Sequence, residues 1–306
     1  MKKRLLIILG PTAVGKTDFS IETALRFGSP VISCDSRQIY KEMTIGTAVP
    51  SASQLSAVKH YFIHSHTVSS LYTAGKYELE AVSLIEDLFS QGHDTLVMAG
   101  GSGFYIDAVC NGLDDFPEAD LELRRILTSR LKEEGIEALQ FELKRLDPES
   151  YATIDIANGQ RVIRALEVCL MTGRKFSSFK TSASRKRNFE IEKIGLVRPR
   201  NVLYERIDRR VLQMIDDGLV GEVRSLLPYR DLSALQTVGY KEIFAWFDWQ
   251  EGRMDAVSSA APGKNNDGPV TSLDRAVELI QRNTRHYAKR QISYWNRDKS
   301  IRWMEI

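Results

Sequence analysis

Residues 5–17 read LLIILGPTAVGKT, five apolar residues feeding Gly10-x-x-x-x-Gly15-Lys16-Thr17. This stretch decides the fold class. Leu5 to Leu9 have the length and composition of a strand buried on both faces, as the strands of a parallel sheet are. In the loop of Gly10, Pro11, Thr12, Ala13, Val14, Gly15, Lys16 and Thr17, the glycines let the chain turn back and aim successive N–H groups at an anion. Lys16 adds a point charge and Thr17 a hydroxyl suited to Mg²⁺. The helical pattern behind them (Phe19, Ile21, Ala24, Leu25) turns the positive end of a helix on the same point. By average composition the four fixed positions would match by chance in a chain of this length on the order of one time in a hundred. The loop predicts a bound diphosphate or triphosphate and does not say which molecule carries it.

A length of 306 residues allows one large α/β domain or a core with a smaller second domain. Hydrophobic content of 43% and charged content of 27% are those of an ordinary globular protein. Cys34, Cys110 and Cys169 are far apart, with no C-x-x-C pair. That argues against a zinc knuckle or a disulfide framework and predicts a cytoplasmic protein. After Met-Lys-Lys-Arg the apolar run is too short for a signal peptide, and no stretch approaches membrane-spanning length. The net charge of +2 hides an asymmetry, with eight Lys/Arg between Arg275 and Trp303 against Glu278 and Asp298. A helical projection puts Arg282, Arg285 and Lys289 on one face, with Val277, Ile280, Tyr287, Ala288 and Trp295 opposite. The pattern predicts a helix packed on the core with a basic stripe outward. Beside a phosphate loop, the expected partner for that stripe is a polyanion such as RNA.

Strands are expected at Leu5–Leu9, Val31–Cys34 and Thr95–Ala99, and a helix from Gly75 to Phe89. From Glu118 to about Lys180 the sequence turns mostly helical and charged, and Glu190–Val197 returns to the sheet. The expected fold is α/β, a parallel-sheet core of the P-loop NTPase type (1–117 and 190–306) with an inserted, mostly helical domain at 118–189. The Ser-, Pro-, Gly- and Asn-rich stretch 252–272 predicts a mobile loop.

The strand Val31–Cys34 runs into Asp35-Ser36-Arg37-Gln38. Ligands of open α/β sheets bind at the carboxyl ends of strands, so Asp35 is expected to face the crevice that holds Lys16, or else to cap the next turn. The strand Thr95–Ala99 ends in Gly100-Gly101-Ser102-Gly103, where a nucleotide-hydrolysing motor would carry a magnesium-binding Asp. The glycines permit close backbone approach and Ser102 can donate to an anion. His60, His64 and His66 lack companion ligands at metal-site spacing, and a packed or surface role is expected.

Together these segments resemble bacterial tRNA dimethylallyltransferases almost from end to end. The resemblance is carried by GPTAVGKT (10–17), CDSRQIYKEMTIGTA (34–48), AGGSGFY (99–105), PEADLELR (117–124) and GQRVIRALEVCLMTG (159–173), then by IDRRVLQMIDDGLVGEV (207–223), TVGYKE (237–242) and RHYAKRQISYW (285–295). Departures are Ser102 where Thr is usual, the His60–His64 segment, Asp155–Gly159 and a longer 252–272 insert. The resemblance implies transfer of a dimethylallyl group from dimethylallyl diphosphate to N6 of the adenosine 3′ of the anticodon, in tRNAs reading codons that begin with U. It implies Mg²⁺ on Thr17, the diphosphate on the phosphate loop, and Asp35, Lys16 and Ser102 as catalytic groups, with Asp35 as general base. It places Asp35, Ser36, Arg37, Gln38, Ser102 and Arg124 near the flipped base. It places Gln160, Arg161, Val162, Ile163, Arg164, Gly239, Tyr240, Lys241, Arg285, Lys289 and Arg290 on the tRNA. A monomer with no membrane association is expected. A nucleoside kinase would account for the phosphate loop but not for the basic carboxyl-terminal helix. A non-catalytic RNA-binding module would leave the loop without a task.

Overall fold

A computed structural model of the chain describes residues 2–181, 185–253 and 268–306, so most of the 252–272 insert lies outside the described residues. Strand β1 (Arg4–Leu9) leads into α1 (Lys16–Phe27), β2 (Val31–Cys34), α2 (Ala52–Ala57), β3 (His60–Tyr61), α3 (Ala74–Ser90), β4 (Thr95–Gly100) and α4 (Gly103–Asn111). Helices α5 (Leu121–Glu134), α6 (Ile136–Leu146), α7 (Pro148–Thr153) and α8 (Gly159–Thr172) follow. The chain then forms β5 (Glu190–Val197), α9 (Arg200–Asp216), α10 (Leu219–Ser225), α11 (Tyr240–Gln250), α12 (Leu273–Trp295) and β6 (Ile301–Glu305). Two compact units result, one of residues 1–111 with 186–306 and one of residues 112–185.

In the first unit the strands form one sheet in the order β3-β2-β4-β1-β5-β6, with every neighbouring pair parallel. Alternate residues of β1 enter two cores. Leu5, Ile7 and Leu9 pack with Ile32, Leu96 and Met98, while Leu6 and Ile8 pack with Val31, Val97 and Ile194 on the other face. A strand covered on both sides needs apolar residues at every position, and this explains the unbroken LLIIL run. The register sets Leu9 opposite both Gly100 and Gly195, and Cys34 opposite Gly100. The turns after β1, β2 and β4 therefore open on one edge of the sheet. Helix α1 begins at Lys16, so its first-turn N–H groups have no helical partners and belong to that edge.

Two strands differ from expectation. β3 has only two residues, too few to carry a period. β6 covers part of the stretch whose pattern predicts a basic helix. α12 ends at Trp295, so Arg297, Lys299 and Arg302 lie beyond it, and Arg302 sits on an edge strand paired with β5. The projected stripe is also corrected. Arg285 is partly buried and ion-paired with Asp208 of α9, whereas Tyr287, placed on the core face, is 37% exposed. α12 packs on α9 as well as α11, and a projection along one helix cannot see a second neighbour.

The second unit has its own core of Leu127, Leu139, Leu143, Val162, Ile163, Ala165 and Leu166. Asn158 caps α8, accepting from the N–H groups of Gln160 and Arg161. Asp147, fully buried, caps α7 and also accepts from the Ser177 N–H at 2.7 Å and hydroxyl at 2.9 Å. These bonds hold its carboxyl below the usual range, against the opposing effect of burial.

Candidate active site

The first unit brings the phosphate loop, the Asp35–Gln38 turn and Ser102 together on the sheet's carboxyl edge. Lys16 folds back on its own loop, donating from Nζ to the carbonyls of Gly10 and Pro11, both at 2.8 Å. Burial, and then the nearby Arg210, pull its ammonium down to about 7, partly offset by Asp35. Three arginines approach the same loop. Arg198 Nε donates to the Val14 carbonyl and Arg206 Nε to the Ala13 carbonyl, each at 2.8 Å, and Arg210 Nη1 reaches Thr12 Oγ1 at 3.5 Å. Among the described residues none of these three has an ion-pair partner. Burial and Arg206 hold Arg210 below its ordinary value. Uncompensated cations around an amide-lined loop form a site for a strongly charged anion.

Gln291, 6% exposed, ties α12 to this loop. It accepts from the Thr12 N–H and donates to the Gly101 carbonyl, both at 2.9 Å. Sequence reading assigned neither Gln291 nor the three arginines. Arg206 and Arg210 carried a signal, since a spacing of four puts both on one face of a helix. Gln291 carried a signal only as part of the RHYAKRQISYW segment, because its partners are distant in sequence.

Both readings of Asp35 hold. Oδ1 caps the turn, accepting from the N–H groups of Arg37 at 2.9 Å and Gln38 at 3.3 Å. Oδ2 has no hydrogen-bond partner among the described residues. Asp35 borders two cavities. One, of about 130 Å³, has an apolar lining of Ile207, Val211, Met214, Val238, Ile280 and Tyr287, and Thr12, Arg37 and Arg210 among its polar groups. The other, of about 50 Å³, includes Lys16, Thr17, Ser33, Gln38 and Gly100. Ser102 splints the two turns, its Oγ accepting from the Ser36 N–H at 2.9 Å and lying 3.2 Å from Ser36 Oγ. Gly100 answers to close approach, since a Cβ there would lie 1.9 Å from the Cys34 carbonyl oxygen. Gln38 Nε2 donates to the carbonyls of Thr47 at 3.1 Å and Ala48 at 3.0 Å, holding the next loop against the larger cavity.

The remaining expected residues divide between the two units. Gly239 lines the larger cavity, and Lys241, Lys289 and Arg290 are exposed. Tyr240 is fully buried and donates to Glu222 at 2.6 Å, so its side chain offers nothing to RNA. In the second unit Gln160 and Arg161 are exposed, but Val162 and Ile163 are core residues at 0% and 1% exposure, so their side chains offer nothing to a nucleic acid. The helical period of α8 turns them inward. Arg124 and Arg164 converge on the buried Glu167, donating to its Oε2 at 2.6 Å and 2.9 Å. Oxygen donors at Thr17 suit Mg²⁺. No group of three His, Cys, Asp or Glu gathers among the described residues, so an ion there would take its other ligands from a diphosphate and water. No described helix is long and apolar enough to cross a membrane.

A sequence profile described as IPP transferase matches residues 38–298. A tRNA dimethylallyltransferase of Christiangramia forsetii is 45% identical over all 306 residues, which cover 94% of that protein. A tRNA dimethylallyltransferase 2 of Porphyromonas gingivalis is 46% identical across 98% of this chain and 93% of its own. The crystal structure of a tRNA isopentenylpyrophosphate transferase from Bacillus halodurans superposes with a TM-score of 0.65 at 33% identity, covering 99% of this chain and 90% of the other. A eukaryotic dimethylallyltransferase acting on tRNA has the same fold, with a TM-score of 0.76 at 23% identity over 99% of this chain and 74% of its own.

Proposed function

The chain belongs to the IPP transferase family, and from that premise we propose that it transfers a dimethylallyl group from dimethylallyl diphosphate to N6 of an adenine in tRNA, at the position 3′ of the anticodon. One observation carries the reading: the unpaired cations of the phosphate loop adjoin an apolar cavity of about 130 Å³, with Asp35 on the border. A C5 allylic diphosphate has that polarity, a charged head and a small apolar tail. A nucleoside triphosphate would put a ribose with its polar hydroxyls between the phosphates and the apolar part.

The donor's diphosphate sits on the loop amides, with Lys16 released from the Gly10 and Pro11 carbonyls to meet it and Arg210 beside it. The C1–O bond to the diphosphate breaks as a bond from N6 to C1 forms. The cations stabilise the charge that develops on the leaving diphosphate. Asp35 Oδ2 accepts the N6 proton, raising the nucleophilicity of an amine whose lone pair is delocalised into the ring. Mg²⁺ on Thr17, when bound, adds a Lewis acid for the same leaving group. The adenine must leave its stack to reach the cavity. Lys289 and Arg290 offer exposed charge to RNA phosphates.

The test is nucleoside mass spectrometry on unmodified tRNA incubated with the protein, Mg²⁺ and dimethylallyl diphosphate, without ATP. The expected result is N6-dimethylallyl-adenosine. Unmodified tRNA from folded protein, or ADP release on free nucleosides, counts against it.

A further inference from the structure

Four donors meet on one carboxylate beside the larger cavity. Glu222 of α10 accepts at Oε2 from the N–H groups of Thr44 at 3.0 Å and Ile45 at 2.7 Å. Its Oε1 accepts from the Gly46 N–H at 3.0 Å and the Tyr240 hydroxyl at 2.6 Å. Three consecutive amides turned on one carboxylate fix the path of a loop more tightly than any single side-chain bond can. The loop is held again from its other end by Gln38 on the Thr47 and Ala48 carbonyls. Between these anchors Gly46, Thr47 and Ala48 form one wall of the cavity that Asp35 borders. The Tyr240 ring braces the wall from behind. A Cβ on Gly46 would lie 2.6 Å from that ring, so only glycine lets loop and ring close on each other. Ala48, at a φ of 52°, holds the left-handed conformation that side chains rarely adopt, which marks a loop shaped by its anchors.

Resting on the transfer reaction given above, we propose that Glu222 is a positioning residue: it sets the wall at 46–48 so that the reactants meet next to Asp35. It touches neither reactant. Its effect belongs to the chemical step, because the diphosphate is held by the phosphate loop and its cations, none of which Glu222 contacts. Charge matters as well as shape. All four partners donate, so an amide in place of the carboxylate turns an NH₂ group toward N–H donors and ejects part of the loop. Aspartate keeps the acceptors on a stem one methylene shorter.

The experiment compares the parent chain with Glu222→Gln, Glu222→Asp and Tyr240→Phe. It reads thermal unfolding, the amide signals of Ile45 and Gly46, and kcat and both KM values with tRNA and dimethylallyl diphosphate. Glu222→Gln is expected to lower kcat by about tenfold or more, as a displacement near one ångström does. Its KM for the diphosphate stays within about threefold, and the Ile45 and Gly46 amide protons move upfield as they lose the carboxylate. Glu222→Asp restores part of kcat, and Tyr240→Phe, which removes one donor of four, loses less. A folded Glu222→Gln variant with parental kcat and displaced amide signals overturns the proposal. So does a variant in which kcat, both KM values and folding fail together, because that is a structural staple with no specific tie to the reaction. A parent chain that transfers no prenyl group would refute the reaction itself and is distinguishable from either result.

Discussion

Asp35 shows how one carboxylate serves structure and chemistry at once, with Oδ1 closing a turn and Oδ2 left open to the cavities. Asp35→Asn keeps an acceptor for the turn and removes the base. Turnover is expected to fall by roughly 10²- to 10⁴-fold with donor affinity little changed, measured by single-turnover transfer and by donor titration. Lys16 gives a pH prediction. Burial brings it to about 7, below its value in an unfolded chain, so the unfolded state holds more protons above that pH. The free protein therefore gains stability from this group as pH rises from about 7, and loses it as pH falls toward 7. A bound diphosphate restores the ammonium. Calorimetry in buffers of different ionisation enthalpy should find about one proton taken up on donor binding near pH 8 and almost none near pH 6. Equal uptake at both would remove Lys16 from the diphosphate site. The pairing of Gly10-x-x-x-x-Gly15-Lys16-Thr17 with Asp35 was legible because each is local in sequence. The depressed lysine was not, since it comes first from burial in the folded interior and then from Arg210 of another helix.

Helices were legible to the extent that their faces were. The expected Gly75–Phe89 became α3, and the strands at β1, β2, β4 and β5 fell where apolar runs lie between turn residues. α8 shows the limit. Its outward Arg164 and the Arg124 of α5 share the Oε2 of Glu167, which is fully buried, while Glu167 Oε1 has no partner among the described residues. Glu167→Ala removes the carboxylate shared by two partly exposed guanidinium groups and should cost on the order of 2 kcal/mol. A denaturation curve of the whole chain would show this as a lowered first transition. An unchanged curve would mean that the Glu167 pairing adds nothing to stability and that Arg124 and Arg164 are free for RNA. β6 was missed because IRWME is short, charged at Arg302 and Glu305, and adjoins a basic helix. Its pairing with β5, a partner more than a hundred residues away, makes it a strand.

At the scale of the molecule the basic charge of +2 is nearly balanced, so attraction to RNA must come from where cations are exposed. Arg285 is consumed by Asp208, whereas Lys289 and Arg290 stay in solvent. Replacing both with alanine should reduce the slope of log affinity for tRNA against log salt by roughly one to two, without altering donor affinity, as filter binding across a salt series would measure. An unchanged slope would place the RNA on another face. What the sequence by itself determined is the phosphate loop, the parallel sheet and the family, because a buried strand, a glycine turn and a helix start are written in consecutive residues. What only the tertiary structure decided is which cations stay unpaired around that loop, which expected RNA contacts are core, and that Glu222 and Gln291 brace the site. Those depend on residues far apart in the chain meeting in a packed interior, where burial and partner choice give a side chain its charge state and its task.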